Sequence, residues 1–225
     1  MSLASPRVDD KRGQDIEYVT RAFKFQPTRY SCYTNCIYNI LHELSRAHNC
    51  TAIALSEQAI NRLCRSTNRL LGPKLEVVVP NITAELKQWG YIAVERSGQR
   101  YPDLTSILKD KETSYPIVGL SYDYLVYREA VRRNGEPIPP DHATIVLCSD
   151  ETETVIYDPY EGLSKRMQLQ RQEQGMPRGT YMLPTARFLS YWEQASDPAW
   201  MFWIQHKPPA RASAKSPSLE SYSES

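Results

Sequence analysis

Four residues stand out for the chemistry their types and spacing allow. Cys32 and Gln26 share the stretch "FQPTRYSCYTNC", His142 opens "HATIVLC", and Asp158 ends "ETVIYD". A cysteine attacks as its thiolate, so a reactive one needs a positive field and a base. After Cys32 the apolar residues Cys36, Ile37, Ile40, Leu41 and Leu44 recur at helical spacing, with Ser31 as a suitable N-cap. This predicts a helix starting at or near Cys32. The free N–H groups and positive dipole end of such a helix favour a thiolate. The competing reading of any cysteine is a small buried hydrophobe. That reading suits Cys36, one turn further in; Cys50 and Cys64, which have no partner pattern, read as core or near-surface thiols. A side-chain amide just upstream of the nucleophile, with the Cys32 N–H, would form a pair of donors for a developing oxyanion. Gln26 fits that place, although its spacing to Cys32 carries little alone and an exposed loop amide is the alternative.

The base must come from His42, His48, His142 or His206. His42 and His48 share the predicted helix with Cys32 but lie about 15 Å and 24 Å along its axis, so neither reaches it. They read as a solvated helix face, and His206, beside the C-terminal tail, as structural or exposed. His142 opens an apolar strand directly after a proline-rich loop, where a site residue is held rigidly yet stays accessible. If 142–148 and 154–158 form a hairpin about Asp150–Glu151, His142 lies opposite Asp158. Directly opposed residues project to the same face about 5 Å apart. A carboxylate so placed fixes the imidazole tautomer and supports the imidazolium. Alternatively, Asp158 only ends a strand at a "DP" turn.

These residues need a scaffold, and the remaining sequence predicts one. The chain has 225 residues, enough for one sizeable core. "SEQAINRLCRS" reads as a helix capped by Ser56, and "NITAELKQWG" as one starting at Asn81 or Thr83 and closed by Gly90. "YIAVER" reads as a strand, "DLTSILKD" as a short helix and "YPIVGLSYDYL" as a strand with Pro116 near its start. "HATIVLCS" and "ETVIYD" form the hairpin, "LPTARFLSYWEQA" is a helix and "WMFWIQH" a last strand. Helices followed by strands predict an α+β fold with helices on one side of a mostly antiparallel sheet. The expected organisation is a flexible lead-in over 1–20, one domain over 21–206 and a disordered Pro/Ser/Ala-rich tail over 207–225. The stretches 128–141 and 161–180 read as irregular; flanking His142 and Asp158 in the chain, they are candidates for the walls of a substrate groove.

Composition narrows the function classes. A net charge of +1, with basic residues dispersed, makes no electrostatic case for nucleic acid. No apolar run is long enough for a membrane span, and the polar N-terminus has no secretory h-region, so a cytoplasmic location is expected. Five cysteines, an odd number, argue against a disulfide framework there. Cys32 and Cys36 at i, i+4 could offer two zinc ligands, but the usual second close pair is missing.

The pattern resembles the papain-like cysteine peptidases. Glutamine, five residues, then cysteine at a helix start, followed far downstream by a His-led strand and an Asp-Pro, is similar to the compact bacteriocin-processing branch, which cuts leader peptides after a double glycine. The lines that carry this are "QPTRYSCYTNCIYNIL", "DHATIVL", "VIYDPYEG", "FLSYW" and "ELKQWGY", together about residues 24–205. The resemblance implies a papain-like fold whose N-terminal helices, with the nucleophile at a helix N-terminus, pack on the sheet. It implies Cys32 as nucleophile, His142 as general base and acid, Asp158 as orienter, Gln26 in the oxyanion hole, no cofactor or metal, and a peptide or protein substrate. Two positions depart from the pattern. Tyr33-Thr34 replaces a Gly-Pro after the nucleophile, and Asp141 replaces a glycine before the histidine, where its charge is expected to raise the pKa of His142. The leading expectation is a thiol hydrolase of peptide or isopeptide bonds. An acyltransferase or transpeptidase would use the same residues, and a non-catalytic peptide-binding module would keep the fold without the reaction.

Overall fold

A computed structural model describes residues 16–25, 31–64, 75–121, 123–124, 141–160, 169 and 171–207. The sequence groups helices first and strands after them, and the described chain follows that order. Helix α1 is Ile16–Thr20, α2 Cys32–Ala47, α3 Glu57–Leu63, α4 Leu75–Leu86 and α5 Tyr101–Lys109. Strands β1 (Tyr91–Arg96), β2 (Ile117–Ser121), β3 (Asp141–Ser149), β4 (Glu153–Tyr157), β5 (Thr180–Pro184) and β6 (Met201–His206) form one six-stranded sheet, and helix α6 (Thr185–Glu193) joins the last two. The sheet order is β1-β6-β2-β3-β4-β5, with each neighbouring pair antiparallel.

Every residue of β2 is buried, and β3 is buried from His142 to Leu147, so the middle of the sheet is covered on both faces. Tyr33 of α2 packs edge-on against Phe202 of β6, and the register carries that face to Ile117, Ile145 and Tyr157. The opposite face meets α6, where Thr154 and Thr185 share a hydroxyl hydrogen bond of 3.0 Å. The helix after β5 thus lies across the sheet from α2, where the sequence led us to expect helices on one side. Near-continuous apolar runs such as "MFWI" and "IVGL" are what two-sided burial requires.

The central helix α2 starts at Cys32 as expected. Its apolar stripe, Cys36, Ile37, Ile40, Leu41 and Leu44, is fully buried. Polar neighbours on the same helix, Thr34, Asn35 and Asn39, are buried too. The asparagines are satisfied by the preceding chain. Lys24 N–H donates to Asn39 Oδ1 at 2.8 Å, and Asn39 Nδ2 donates back to the Lys24 carbonyl at 3.0 Å. Asn35 Nδ2 donates to the Phe25 carbonyl at 3.3 Å. These bonds dock residues 24 and 25 along the first turns of α2.

Three elements differ from the sequence reading. Ile16–Thr20, inside the expected lead-in, is helical, with Ile16 and Val19 buried. Helix α4 begins at Leu75, earlier than Asn81, and carries Pro80 within it. A proline usually marks a helix start because it has no N–H to donate. Here its exposed position on α4 leaves the buried Val78, Ile82 and Leu86 on one stripe. Strand β5 was not expected: it runs from Thr180, the last residue of the expected irregular stretch, through Leu183 and Pro184, where the helix was expected to start. Residues 1–15 and the tail beyond 207 lie outside the described residues.

The hairpin β3–β4 forms with a different register. Ile145 faces Tyr157 and Val146 faces Ile156, with a bulge between Val146 and Cys148 before Ser149 faces Thr154. Extending this register sets Thr144, and not His142, across from Asp158. The slip is even-numbered, so His142 and Asp158 still project to one face, as diagonal neighbours. Asp158 itself lies just past β4, and its N–H donates to the Gly179 carbonyl at 2.8 Å. Gly179 has φ +83°, and a Cβ there would sit 2.5 Å from Tyr157 Cε2. Only glycine fits both constraints. Gly179→Ala is therefore expected to lower the unfolding free energy by roughly 1–3 kcal/mol from backbone strain alone, with the clash added. Denaturant unfolding monitored by tryptophan fluorescence checks this, and an unchanged midpoint would contradict it.

Candidate active site

The site is built from the ends of three elements. Cys32 is the first residue of α2, His142 the second of β3, and Asp158 follows β4. Ser31 stands at the N-cap position without a side-chain cap hydrogen bond. First-turn N–H groups therefore remain for another acceptor. The Cys32 sulfur takes that place: it accepts from the backbone N–H groups of Tyr33 and Ala143 and hydrogen-bonds the His142 ring. Cys32 is partly exposed, while His142 is buried.

Asp158 is fully buried, so its carboxylate must be paired. Oδ1 accepts from His142 Nε2 at 2.8 Å and from the Tyr160 N–H at 2.8 Å. Oδ2 accepts from the Tyr124 hydroxyl at 2.7 Å. A carboxylate only accepts, so Nε2 carries a proton and Nδ1 is the ring nitrogen left for the thiol. The Tyr124 ring is nearly parallel to the imidazole, at 15° and 6.2 Å, and the Tyr160 ring meets it edge-on at 6.3 Å. Two aromatic side chains thus wall the histidine away from solvent.

The electrostatics follow from this geometry. Burial raises the Cys32 pKa, but the hydrogen bond and charge of His142, with the two backbone N–H donors, outweigh it, and the net shift is downward. Burial alone would lower the His142 pKa; the Asp158 charge and hydrogen bond, together with Cys32, reverse this and raise it to about 9. Both shifts, Cys32 downward and His142 upward, act in favour of a thiolate–imidazolium pair. Cys36, one turn on, shows the opposite case: burial pushes its thiol well up, and its Sγ donates to the Ala143 carbonyl at 3.5 Å. Asp141 does not supply the charge that raises His142. Adjacent strand residues point to opposite faces, and the Asp141 carboxylate accepts the Ser196 N–H at 2.8 Å.

Of the four residues singled out by sequence, Cys32, His142 and Asp158 come together. Gln26 lies outside the described residues, but Phe25 before it is tied to Asn35, one turn from Cys32. Of the expected groove walls, 128–140, 161–168 and 170 lie outside the described residues as well. The other histidines lie elsewhere. His42 stacks on Tyr38 at 4.0 Å and contacts the Leu55 carbonyl, while His48 and His206 meet at the far end of α2. Sequence reading missed Tyr124, Asn35 and Asn39. Tyr124 had a faint signal in "SYDYL": a tyrosine just past a buried strand, with no apolar partner in the pattern.

No family model matches the chain, and no curated protein does. Among solved structures, the chain is similar to the peptidase domain of Streptococcus ComA, a bifunctional ABC transporter involved in a quorum-sensing pathway. That match has 14% identity and a TM-score of 0.43, and covers 82% of this chain and 97% of the other. It is also similar to a double-glycine-motif protease from an AMS/PCAT transporter, in complex with its leader peptide. There the identity is 12% and the TM-score 0.43, with 82% of this chain and 89% of the other covered.

Removing the Tyr124 hydroxyl leaves a buried carboxylate one donor short. Tyr124→Phe is expected to cost roughly 1.5–3 kcal/mol of stability, the range for a hydrogen bond to a charged group. It should also slow alkylation of Cys32 by iodoacetamide, because His142 loses part of its anchor. Wild-type stability and alkylation rate in the variant would show that the hydroxyl does not hold Asp158.

Proposed function

We propose that the protein is a cysteine-type peptidase that cleaves a peptide or isopeptide bond through an acyl-enzyme on Cys32. The observation that carries this reading is the chain of contacts from the Cys32 sulfur through His142 to the buried Asp158 carboxylate. A fully buried carboxylate, an imidazole tautomer fixed by it and a partly exposed thiol at a helix N-terminus together match the requirements of an activated nucleophile.

The steps follow from the groups at hand. The Cys32 thiolate attacks the carbonyl carbon, and the carbonyl π electrons move to oxygen. The resulting oxyanion is stabilised by the Cys32 N–H at the start of α2 and by the Gln26 side-chain amide. The C–N bond breaks as the His142 imidazolium gives its proton to the leaving amine. Water then attacks the thioester, with neutral His142 accepting its proton, and the thiolate leaves as the acid product forms. Asp158 stays ionised throughout, holding Nε2 and the imidazolium charge. The bonds from Asn35 and Asn39 to residues 24 and 25 support the Gln26 assignment, since they carry the chain towards the first turn of α2.

The pH dependence has a definite sign. The active pair needs Cys32 ionised and His142 protonated. Activity is expected to rise as pH passes the lowered pKa of Cys32 and to fall as pH rises through about 9, where His142 loses its proton. Incubation with a peptide library and mass spectrometry of products tests the reading. Wild type should release fragments and carry an acyl adduct on Cys32, and Cys32→Ala should abolish both. Asp158→Asn should keep the thiol but lower turnover. Cleavage that survives Cys32→Ala would refute the proposal, and products joined to added amines in place of water would convert it to acyl transfer.

A further inference from the structure

At the opposite end of α2 from Cys32, about 24 Å along the helix axis, three side chains from three elements converge. His48 caps the C-terminus of α2, Glu112 lies in the turn before β2, and His206 ends β6. One potential ligand atom from each lies within 4.8 Å of the other two, and among the described residues no other group of this kind occurs.

The geometry points to a binding site for a divalent transition metal ion of the zinc class, held by His48, Glu112 and His206. Two imidazole nitrogens and one carboxylate oxygen are the donor set such ions prefer, whereas calcium and magnesium favour oxygen donors alone. The scaffold is already fixed. The His206 N–H donates to the Glu112 carbonyl at 2.8 Å, and His206 pairs with Tyr91 across β1 and β6. The His48 N–H bonds the Leu44 carbonyl at 3.0 Å.

Neighbouring groups orient the ligands as well. The buried Tyr91 places its hydroxyl 2.8 Å from His48 Nδ1, and its ring packs 4.8 Å from the His206 ring. A hydrogen bond at Nδ1 leaves Nε2 as the ligating nitrogen of His48, in exchange for its 3.2 Å contact with the Lys111 carbonyl. His206 Nδ1 and Glu112 Oε2 lie 2.8 Å apart around a shared proton. A metal ion takes the place of that hydrogen at Nδ1; a neutral ring then carries its hydrogen on Nε2, and an imidazolium releases one proton to solvent. Glu112 is exposed and both histidines are partly exposed, which leaves an open side for water as a further ligand. The ion would tie the end of α2 to the last strand and to the turn before β2. This inference does not rest on the proposed peptidase activity.

The test uses Cys32→Ala protein stripped with a chelator, so that the Cys32 thiol cannot compete for metal. Titration with Zn(II) by calorimetry is expected to give about one equivalent of binding in the micromolar range and a raised unfolding temperature. Co(II) should give visible d–d bands with no thiolate charge-transfer band. Glu112→Gln, which keeps size and polarity, and His206→Ala, which deletes a ligand, should each weaken binding by about tenfold or more. Unfolding of the metal-free variants verifies that each is folded. Undiminished binding in both variants, or binding only at millimolar metal, would overturn the site.

Discussion

The burial of Asp158 is the constraint on which the rest of the site depends. An ionised carboxylate removed from water is tolerated only if its oxygens are matched by donors. Here the donors come from three places: His142 on β3, Tyr124 just after β2 and the Tyr160 backbone. Satisfying Asp158 thus fixes the position of His142, selects its tautomer and stabilises its charge. Removing one partner of such a buried pair typically costs roughly 3–5 kcal/mol. The same bonds that arrange the chemistry therefore hold the strand ends together.

The other half of the site is set by α2. Its first turn presents the Tyr33 N–H to the Cys32 sulfur, β3 adds the Ala143 N–H, and the body of α2 is anchored by a fully buried apolar stripe. Two cysteines one turn apart on this helix meet opposite environments. The Cys32 sulfur accepts hydrogen bonds beside a positive imidazole, while the Cys36 thiol donates to a carbonyl in a dry core, and burial raises its pKa. Position relative to the helix start separates these two thiol environments in a way residue type cannot.

Much of this was legible in the sequence, for identifiable reasons. The 3.6-residue stripe after Cys32 and the short apolar runs of β2, β3, β4 and β6 are strong local patterns, and the structure keeps them. The pairing of His142 with Asp158 was also anticipated, but by a register that proved wrong. Next to the turn, Ser149 facing Thr154 is an odd-numbered slip from the expected pairing; the bulge after Val146, which has no sequence mark, reduces it by one, and the even-numbered slip left at His142 preserves the face. Helix α4 ran through Pro80 because tertiary packing of Val78, Ile82 and Leu86 outweighs a local breaker. Tyr124, Asn35 and Asn39 stayed hidden because their roles depend on partners far off in the chain, which no periodicity reports.

The central claim is that Cys32 and His142 rest as an ion pair imposed by Asp158. Its most direct test is a pH titration of thiolate absorbance in the ultraviolet, taken as the difference between wild type and Cys32→Ala. The account predicts a thiolate signal that persists well below the ordinary cysteine pKa and that shifts upward when Asp158 is replaced by asparagine. A Cys32 thiol that ionises only at or above the ordinary cysteine value, with or without Asp158, would contradict it.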